Sequence, residues 1–391
     1  MICAPARADA SALALYVHMP WCVRKCPYCD FNSHQLKSPR PDGAYIDWLI
    51  RDFDAEWPLV ASRRIDTVFF GGGTPSLFPP EDFARLLHAL RQRIAFASDA
   101  EITLEANPGT VERGRFAGYR EAGINRVSLG AQTFAPHALE RLGRIHTAGD
   151  THRAVAELRA AGIRNFNLDL MYALPEQTLE EALIDVRTAC ELEPTHLSYY
   201  QLTLEPGTVF HARPPPLPDD EAAWRIQSEG QLLLAAAGYG QYEVSAYARE
   251  GFQCRHNLNY WRFGDYLGLG AGAHGKLSLE LPAKIVRTAK PKQPRDFQER
   301  VAQASVGVGV GERHCIAIAD LPFEFMLNAL RLNEGFSGQC FEARTGLSVE
   351  AFKAPMWESM QRGLIYRTDI GWRPTDLGRR FLNDLQTAFL A

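Results

Sequence analysis

Three cysteines near the start of the chain have the spacing of a metal-cluster loop. Cys22, Cys26 and Cys29 fall within eight residues, directly after an apolar run that begins at Leu13. Four-iron clusters are normally held by four cysteine thiolates, so three close cysteines without a fourth predict a cluster with one iron open to another ligand. An open coordination position is what allows a metal site to do chemistry.

Two other interpretations of these cysteines stay open at this point. Zinc sites usually combine two close pairs of Cys or His ligands, whereas the remaining cysteines, at positions 3, 190, 254, 315 and 340, stand singly. His34 could complete a site of three cysteines and one histidine. Disulfide bonds require an oxidising compartment. The spacing favours an iron–sulfur cluster over both.

Length and composition predict a large cytoplasmic protein with a substantial core. The 391 residues exceed the typical domain of about 150 residues, so we expect one large domain and a smaller one. A hydrophobic content of 46 % supports this, and a net charge of −4 gives no overall basic field for nucleic acid. The first fourteen residues lack a signal-peptide pattern, and no apolar window has the length of a membrane span.

Strand-like apolar runs alternate with helix-length segments through the first 200 residues. The predicted strands are Leu13–His18, Ile65–Phe70, Glu101–Glu105, Asn125–Leu129, Asn165–Leu170 and His196–Gln201. The predicted helices include Tyr45–Ala61, Pro80–Phe96 and Leu179–Leu192, with one on either side of the fourth strand. Parallel strands need crossover helices, so this alternation indicates an α/β fold with a parallel sheet.

Polar residues stand at the carboxyl ends of successive predicted strands. They are Gly71–Thr74, Glu105, Gln132, Asp169 and Tyr199–Gln201, in chain order. Active sites of barrels form at this end of the strands, so we favour a partial (β/α)6 barrel over an open doubly wound sheet. Each residue alone could be a cap or a turn residue. The glycine triplet lets backbone amides approach an anionic or amino-acid group, although it is neither a P-loop nor a dinucleotide motif.

Several motifs resemble those of a known enzyme superfamily. Tyr16–Asn32, with its Cys-x3-Cys-x2-Cys spacing and an aromatic residue before the last cysteine, resembles the radical S-adenosylmethionine superfamily. Within it, Gly71–Gly73, Asn107–Gly109, Ser128–Gln132 and Asn167–Pro175 resemble the branch of oxygen-independent coproporphyrinogen III oxidase and the HemW-type heme chaperones. The resemblance runs from about residue 13 to the end of the chain.

The resemblance implies cofactors and their ligands. Cys22, Cys26 and Cys29 would hold a [4Fe-4S] cluster whose open iron binds S-adenosylmethionine. Around a first S-adenosylmethionine the family uses Tyr16, Gly72 and Glu105. The oxidase has a second one, at positions that match Tyr28, Gly73, Thr74, Gln132, Arg144 and Asp169. Gly268–Gly275 would lie beside this site. This chain has the family's residue type at each of these positions, so a radical reaction remains a possible activity.

Three departures from the oxidase favour the chaperones. The oxidase has a further cysteine two residues after the triplet, where this chain has Phe31. Only 21 residues precede Cys22, so we expect the long N-terminal extension of the oxidase to be missing. The stretch His256-Asn257-Leu-Asn-Tyr260-Trp261 resembles the His-Asn-x-x-Tyr-Trp signature of the HemW group.

This stretch contains residues that suit heme. A neutral imidazole is a common axial ligand of heme iron, which suggests His256, and Tyr260 and Trp261 could line an apolar porphyrin face. Cys254 could also bind the iron as a thiolate. The structural alternatives are a hydrogen-bonded histidine of the core and a cysteine buried as a small apolar residue.

Composition predicts three segments. Residues 1–276 contain the barrel, the cluster loop and the heme motif. Residues 277–313 form a linker, and residues 314–391 form a small domain. In the small domain we predict helices at Glu324–Leu332, Phe341–Thr345 and Glu350–Gln361, a two-stranded wing at 363–374, and a last helix from Asp376. This order resembles a winged helix. The paired cations Arg379 and Arg380 are too few to suggest nucleic-acid binding.

Two classes of function remain. The first is a heme chaperone, whose partners would be heme, acceptor hemoproteins such as respiratory enzymes, an electron donor such as flavodoxin or ferredoxin, and the membrane surface, contacted peripherally during transfer. The second is a radical enzyme that decarboxylates the propionates of coproporphyrinogen III. Whether the chain is an enzyme is left open by these residues.

Overall fold

In the computed structural model, residues 12–36, 43–109, 114–282 and 284–390 are described, so the residues before position 12, on which part of the targeting prediction rests, lie outside it. The first strands are β1 (Ala12–Met19), β2 (Trp21–Cys22), β3 (His34–Gln35), β4 (Arg64–Gly72), β5 (Ala95–Ala106), β6 (Arg126–Gln132), β7 (Asn165–Tyr172) and β8 (His196–Gln201). The helices among them are α1 (Gly43–Glu56), α2 (Pro80–Arg91), α3 (Phe116–Ala122), α4 (Pro136–Arg141), α5 (Ala148–Ala160) and α6 (Leu179–Glu191). Short 3-10 helices span Trp57–Leu59 and Pro75–Leu77.

The second half adds shorter strands and nine more helices to the described chain. The strands are β9 (Gly240–Glu243), β10 (Ala246–Ala248), β11 (Tyr266–Leu269), β12 (His274–Glu280), β13 (Lys284–Ala289), β14 (Glu312–Cys315), β15 (Phe336–Ser337), β16 (Ile365–Arg367) and β17 (Gly371–Pro374). The helices are α7 (Val209–Ala212), α8 (Asp220–Ala236), α9 (Arg255–Trp261), α10 (Pro294–Gln303), α11 (Leu321–Ala329), α12 (Gly338–Thr345), α13 (Lys353–Gln361), α14 (Asp376–Arg380) and α15 (Leu382–Thr387). Ile318–Asp320 and Val349–Phe352 form 3-10 turns.

One twelve-stranded sheet carries most of the fold, in the order β14-β13-β12-β11-β1-β4-β5-β6-β7-β8-β10-β9. Neighbouring strands from β1 to β8 run parallel, and β11 adds a further parallel strand beside β1. The remaining strands extend both ends in antiparallel fashion. The sheet is open, with β14 and β9 at its ends. The predicted α/β fold built on parallel strands is confirmed, and the unclosed sheet is compatible with the predicted partial barrel.

The local sequence explains the central elements. All seven residues of β6 are buried, as expected of a parallel strand covered on both faces. Helix α2 starts at a proline and buries Phe83, Leu86, Leu87 and Leu90 on one face. The predicted continuation of this helix to Phe96 is wrong, because after Arg91 the apolar spacing changes from a helical period to the alternation of β5.

The segment 277–313 is not an irregular linker as predicted. It contains most of β12, all of β13 and α10, and the start of β14, and these strands extend the main sheet beside β11. Their pattern is weak because they are short strands at a sheet edge, where β14 is exposed along its whole length. The division of the chain near residue 314 stays a prediction. Among the described residues, no helix is both long and apolar enough to cross a membrane.

A second apolar core lies under the C-terminal helices. Phe325, Phe341 and Phe352 pack edge to face in it, with ring centroids 4.7–5.1 Å apart. The predicted wing is present as β16 and β17, which pair with β15. This core includes Phe263, from the turn before β11, whose ring lies 5.9 Å from Phe325, and Ile285 of β13 in the main sheet.

A buried ion cluster fixes β13 to helix α1. The Lys290 ammonium lies 2.5 Å from an Asp52 carboxylate oxygen and 3.8 Å from Glu56, and all three side chains are at most 1 % exposed. Burial raises the pKa of Asp52, while the nearby Lys290 charge opposes that shift. Asp52 also accepts a hydrogen bond from the Gly270 N–H at 2.9 Å. The cluster therefore also holds the 270–273 turn in place.

Removing the cation should destabilise the protein strongly. We expect Lys290→Met to lower the free energy of unfolding by about 3–5 kcal/mol, because it leaves the buried Asp52 carboxylate without a cation. Glu56, by contrast, keeps Arg313 at 2.9 Å. Urea unfolding measures the change. Lys284→Met makes the same substitution at the exposed first residue of β13 and should change stability by about 0.5 kcal/mol or less. Equal stability of the two variants would contradict this account of the cluster.

Candidate cofactor and ligand site

The glycine triplet at the end of β4 lies directly against the start of the cysteine loop. Gly72 has φ 111°, a conformation that glycine adopts without strain. A Cβ atom on Gly73 would lie 2.5 Å from the carbonyl oxygen of Trp21. The N–H groups of Gly73 and Thr74 donate to the carbonyl oxygens of Met19 (2.9 Å) and Trp21 (2.7 Å). Glycine is therefore required for this close approach.

Each thiol of the cysteine loop has a polar neighbour. The pairs are the Thr74 hydroxyl and Cys22 (3.5 Å), the Arg144 guanidinium and Cys26 (3.7 Å), and the Ser33 hydroxyl and Cys29 (3.9 Å). Burial raises the pKa of Cys22 and Cys29, and the hydroxyl contacts oppose that shift. A bound cation or an adjacent guanidinium favours the thiolate form.

The donor set suits a cluster better than a single metal ion. In a four-iron cluster each thiolate binds its own iron, so the sulfur atoms need not converge on one point. No three Cys, His, Asp or Glu side chains of the described chain converge on one metal position. His34, the candidate fourth zinc ligand, places Nε2 3.3 Å from the Lys292 carbonyl oxygen. The seven cysteines that the structure describes are all free, so none of them forms a disulfide bond there.

A hydrogen-bonded histidine connects β1 to the cysteine loop. His18 donates from Nε2 to the carbonyl oxygen of Asn32 at 2.8 Å, and its Nδ1 accepts from the Tyr16 hydroxyl at 3.0 Å. Burial lowers the pKa of His18, which keeps the ring neutral. The Asn32 amide in turn donates to the carbonyl oxygens of Ala271 (3.0 Å) and Lys292 (2.9 Å). This chain joins the loop to the far side of the site.

Two carboxyl groups stand on β5 and β7, the strands on either side of β6. Glu105 accepts from the Gly72 N–H at 3.2 Å, and burial followed by the negative charge of Asp169 raises its pKa to about 8. Burial also raises the pKa of Asp169, which accepts from Asn167 (2.8 Å) and Ser128 (3.2 Å). At neutral pH Glu105 therefore holds a proton in the ligand-free protein.

Sequence reasoning missed Asn107 as a site residue. Its amide nitrogen donates to the Thr74 hydroxyl at 2.9 Å, and its amide oxygen accepts from Arg144. Arg144 also donates to the Gly130 carbonyl oxygen at 2.8 Å. Asn107 thus joins the glycine turn to the residue that contacts Cys26. Its place in an Asn-Pro-Gly turn directly after β5 was the available signal.

The other predicted residues of the second group lie near this network. Gln132 has φ 67° and accepts from the Tyr200 hydroxyl at 2.8 Å. Tyr28 packs against Phe210 with ring centroids 6.4 Å apart, and its pKa is raised by burial. The structure therefore collects the predicted strand-end residues around one end of the parallel sheet.

A cavity of about 810 Å³ opens beside this end of the sheet. Its size is in the range of small-molecule sites. Tyr16, Gly72 and Glu105 form part of its wall, together with Tyr260 and Trp261. The remaining lining residues are Lys25, Asp30–His34, His18, Phe263, Gly264, Tyr266, Gly272, His274, Lys276, Arg287, Lys292 and Asn328. The cavity therefore joins the predicted S-adenosylmethionine residues to the predicted heme residues.

The heme motif is divided between the cavity and the protein interior. His256 is 1 % exposed, and its ring nitrogens lie 2.8 Å from the Thr67 hydroxyl and 2.9 Å from the Tyr260 hydroxyl. Burial, and then the charge of Arg126, lowers its pKa to about 3. Cys254 is fully buried, with its pKa raised to about 12 by that burial. Iron ligation by His256 or Cys254 stays a prediction, and it requires these groups to leave their present partners.

Family models match both parts of the chain. Residues 16–188 match the radical SAM superfamily, and residues 318–381 match the HemN C-terminal domain. The solved structure of the coproporphyrinogen III oxidase HemN from Escherichia coli superposes with a TM-score of 0.82 at 23 % identity, covering 98 % of this chain and 91 % of that one. The chain is thus a member of the radical SAM superfamily with the HemN fold.

Relatives of known name define the family more closely. The heme chaperone HemW of Escherichia coli K12 is 49 % identical over 97 % of this chain and 98 % of its own length. The HemW protein of Haemophilus influenzae is 50 % identical over the same shares, and that of Bacillus subtilis is 31 % identical over 96 % and 98 %. The chain belongs to the HemW heme chaperone family.

Filling the glycine turn should disturb the cysteine loop. We expect Gly73→Ala to lower the free energy of unfolding by about 1–3 kcal/mol, because the new methyl group meets the backbone of Trp21. It should also lower the iron and sulfide content after anaerobic reconstitution. Gly240→Ala is the control, since its Cβ meets nothing closer than 3.8 Å. Normal iron content in Gly73→Ala would show that cluster binding does not need the close approach of residue 73 to the Trp21 backbone.

The protonated Glu105 should make stability depend on pH. A carboxyl group whose pKa is higher in the folded chain loses its stabilising effect as the pH rises from 4.5 to about 8. Between about pH 6 and pH 8 we expect the unfolding free energy of the wild type to fall by about 1–2 kcal/mol more than that of Glu105→Gln. Glu280→Gln, at an exposed site, should follow the wild type. Parallel pH profiles of all three proteins would show that Glu105 is not protonated.

Proposed function

We propose that this chain is a heme chaperone, which binds heme and delivers it to acceptor hemoproteins. The observation that carries the proposal is the identity of 49 % and 50 %, over nearly the whole chain, to proteins named heme chaperone HemW. The stretch from Cys254 to Trp261 supports it, because Tyr260 and Trp261 face a cavity large enough for a small-molecule ligand.

Family membership supports a [4Fe-4S] cluster at Cys22, Cys26 and Cys29. When bound, the cluster supplies an open iron for the amine and carboxylate of S-adenosylmethionine. The protein contributes the contacts of Thr74 and Arg144 to the sulfur atoms. Thr74 follows β4, whereas Arg144 lies between α4 and α5, so two separate segments of the chain contact the cysteine loop.

S-adenosylmethionine is proposed to lie along the wall formed by Tyr16, Gly72 and Glu105. A protonated Glu105 can donate a hydrogen bond as well as accept one, which suits a zwitterionic ligand. The positions proposed for a second molecule are Tyr28, Gly73, Thr74, Gln132, Arg144 and Asp169. Thr74 and Arg144 already bond to Asn107, so these hydrogen bonds must change if the two side chains are to bind the second molecule.

Radical decarboxylation of a porphyrinogen is the second candidate function. It is favoured by the presence of every predicted S-adenosylmethionine residue at one end of the sheet. It is disfavoured by Phe31, which is 60 % exposed in the position where the oxidase has a further cysteine. Anaerobic conversion of coproporphyrinogen III at about one turnover per second or faster would make this the primary function.

The proposed partners follow from a heme chaperone that works in the cytoplasm. They are acceptor hemoproteins such as respiratory enzymes, an electron donor such as flavodoxin or ferredoxin, and a membrane surface contacted peripherally. Heme transfer is measured by mixing the heme-loaded chain with the heme-free form of a respiratory hemoprotein. The absorption spectrum of the heme-bound acceptor should then appear.

Heme binding should depend on Trp261. We expect the anaerobically reconstituted chain to bind one heme, and Trp261→Ala to bind it about tenfold more weakly, since a buried aromatic contact contributes about 1–2 kcal/mol. Absorbance titration with heme measures both. Trp357→Ala is the control, because Trp357 is 61 % exposed and lies outside the cavity. A wild type that binds no heme, with or without its cluster, would overturn the proposed function.

A further inference from the structure

The histidines around the cavity differ in whether their ring nitrogens are already occupied. Both nitrogens of His18 are hydrogen-bonded, to Tyr16 and to the Asn32 carbonyl. His256 is buried behind the cavity wall, with both nitrogens bonded. His34 has one nitrogen, Nε2, 3.3 Å from the Lys292 carbonyl oxygen, which leaves its Nδ1 for another partner. An imidazole with both nitrogens hydrogen-bonded must break a bond before it can bind a metal, and one with a single nitrogen bonded can bind only through the other.

His274 is different, because its ring is exposed and lines the cavity. In the described part of the chain, its ring has no hydrogen bond or ion pair with another side chain or carbonyl. Partial burial, and then the positive charges of Lys292 and Arg287, lowers its pKa. The ring is therefore neutral at physiological pH and has a lone pair available for a metal.

The backbone around His274 is held rigidly. His274 starts β12 and pairs with Ala289 of β13. Just before it, the Gly272 N–H donates to the Pro291 carbonyl oxygen at 2.8 Å, and the Lys290 N–H donates to the Ala273 carbonyl oxygen at 3.0 Å. Lys290 is the cation of the buried ion cluster, so the position of His274 is fixed through that cluster. A rigid backbone lowers the entropy cost of binding.

The surroundings of His274 suit both the apolar ring and the charged carboxylates of heme. The apolar wall of the cavity is Tyr260, Trp261, Phe263 and Tyr266, and such aromatic surface suits a porphyrin plane. The cationic residues differ in their partners: Lys276 pairs with Asp265, and Arg287 pairs with Glu324.

Two cavity lysines are available for heme propionates. Within the described chain, no carboxylate lies within salt-bridge distance of Lys25 or Lys292. The Lys25 ammonium instead donates to the carbonyl oxygens of Phe31 (3.1 Å) and Ser33 (3.5 Å). Heme carries two carboxylates, so two unpaired ammonium groups at the cavity complement its charge.

We propose that His274 is the protein ligand of the iron when heme occupies this cavity, with the heme carboxylates paired to Lys25 and Lys292. The inference rests on the proposed heme function and specifies its site. A ring nitrogen of His274 donates its lone pair to the iron and displaces a weakly bound solvent ligand, with no change in oxidation state. His256 then acts as a positioning residue, which holds Tyr260 in the cavity wall.

Histidine variants test the iron ligand. The full chain, reconstituted anaerobically, is titrated with iron protoporphyrin IX. We expect His274→Ala to weaken binding at least about tenfold and to change the absorption and electron paramagnetic resonance spectra, and added imidazole to restore the spectrum of a histidine-bound iron. His211→Ala is the control, because His211 is exposed and lies outside the cavity.

The possible results distinguish a failure of the His274 assignment from a failure of the proposed heme chaperone function. If the wild type binds heme but His274→Ala leaves affinity and spectrum unchanged, or if His256→Ala or His34→Ala alone abolishes the histidine signature, the inference is wrong and the chaperone function stands. If the wild type binds no heme, both fail. Should His274→Ala not fold, His274→Gln, which keeps a polar side chain of similar length without an imidazole, is titrated in its place and read by the same two outcomes.

The carboxylate contacts are tested separately. We expect Lys25→Ala/Lys292→Ala to bind heme about three- to tenfold more weakly, and to bind heme dimethyl ester as the wild type does, because the ester has no charge for the lysines to neutralise. Lys284→Ala, which removes an exposed charge outside the cavity, should change neither. Weaker binding of S-adenosylmethionine with unchanged heme affinity would assign the lysines to that ligand and overturn the pairing.

Discussion

The contact between the glycine turn after β4 and the backbone of Trp21 is the constraint on which the site depends. Without a side chain at Gly73, two strand ends approach within hydrogen-bonding distance. That approach places Thr74 at Cys22, and through Asn107 and Arg144 it reaches Cys26. The cysteine loop itself has little regular structure, so its shape is imposed by the ends of the parallel strands around it.

Charge is arranged in the site according to burial. Inside the protein, Lys276 and Lys290 are paired with carboxylates, because an isolated buried charge would be costly. At the cavity wall, Lys25 and Lys292 have no such partner among the described residues, and Glu105 is neutral at physiological pH. Among these four described lysines, the two without a carboxylate partner both line the cavity, where a ligand can reach them and an anion can neutralise them.

Much of this arrangement was predictable from the sequence. Alternating apolar runs predicted the parallel strands, and the residue after each run predicted the strand-end series of Glu105, Gln132 and Asp169. The antiparallel edge strands of 277–313 were missed, because short exposed strands have little apolar periodicity. The free ring of His274 could not be predicted either, since which histidine is hydrogen-bonded depends on contacts between residues far apart in sequence. His256 shows this directly, as its partner Thr67 comes from β4.

The pairing of β1 with β11 sets an order for how the site is built during synthesis. Ala14–Val17 pair with Tyr266–Leu269, about 250 residues later in the chain. Until that segment leaves the ribosome, β1 has a partner on one side only, and the cavity wall from Tyr260 to Lys292 does not exist. Long-range pairing of this kind forms slowly. The first strand and its cysteine loop therefore cannot reach their final surroundings until most of the chain has been synthesised. A nascent protein that stops short of β11 has cluster ligands without an enclosed pocket to cover them.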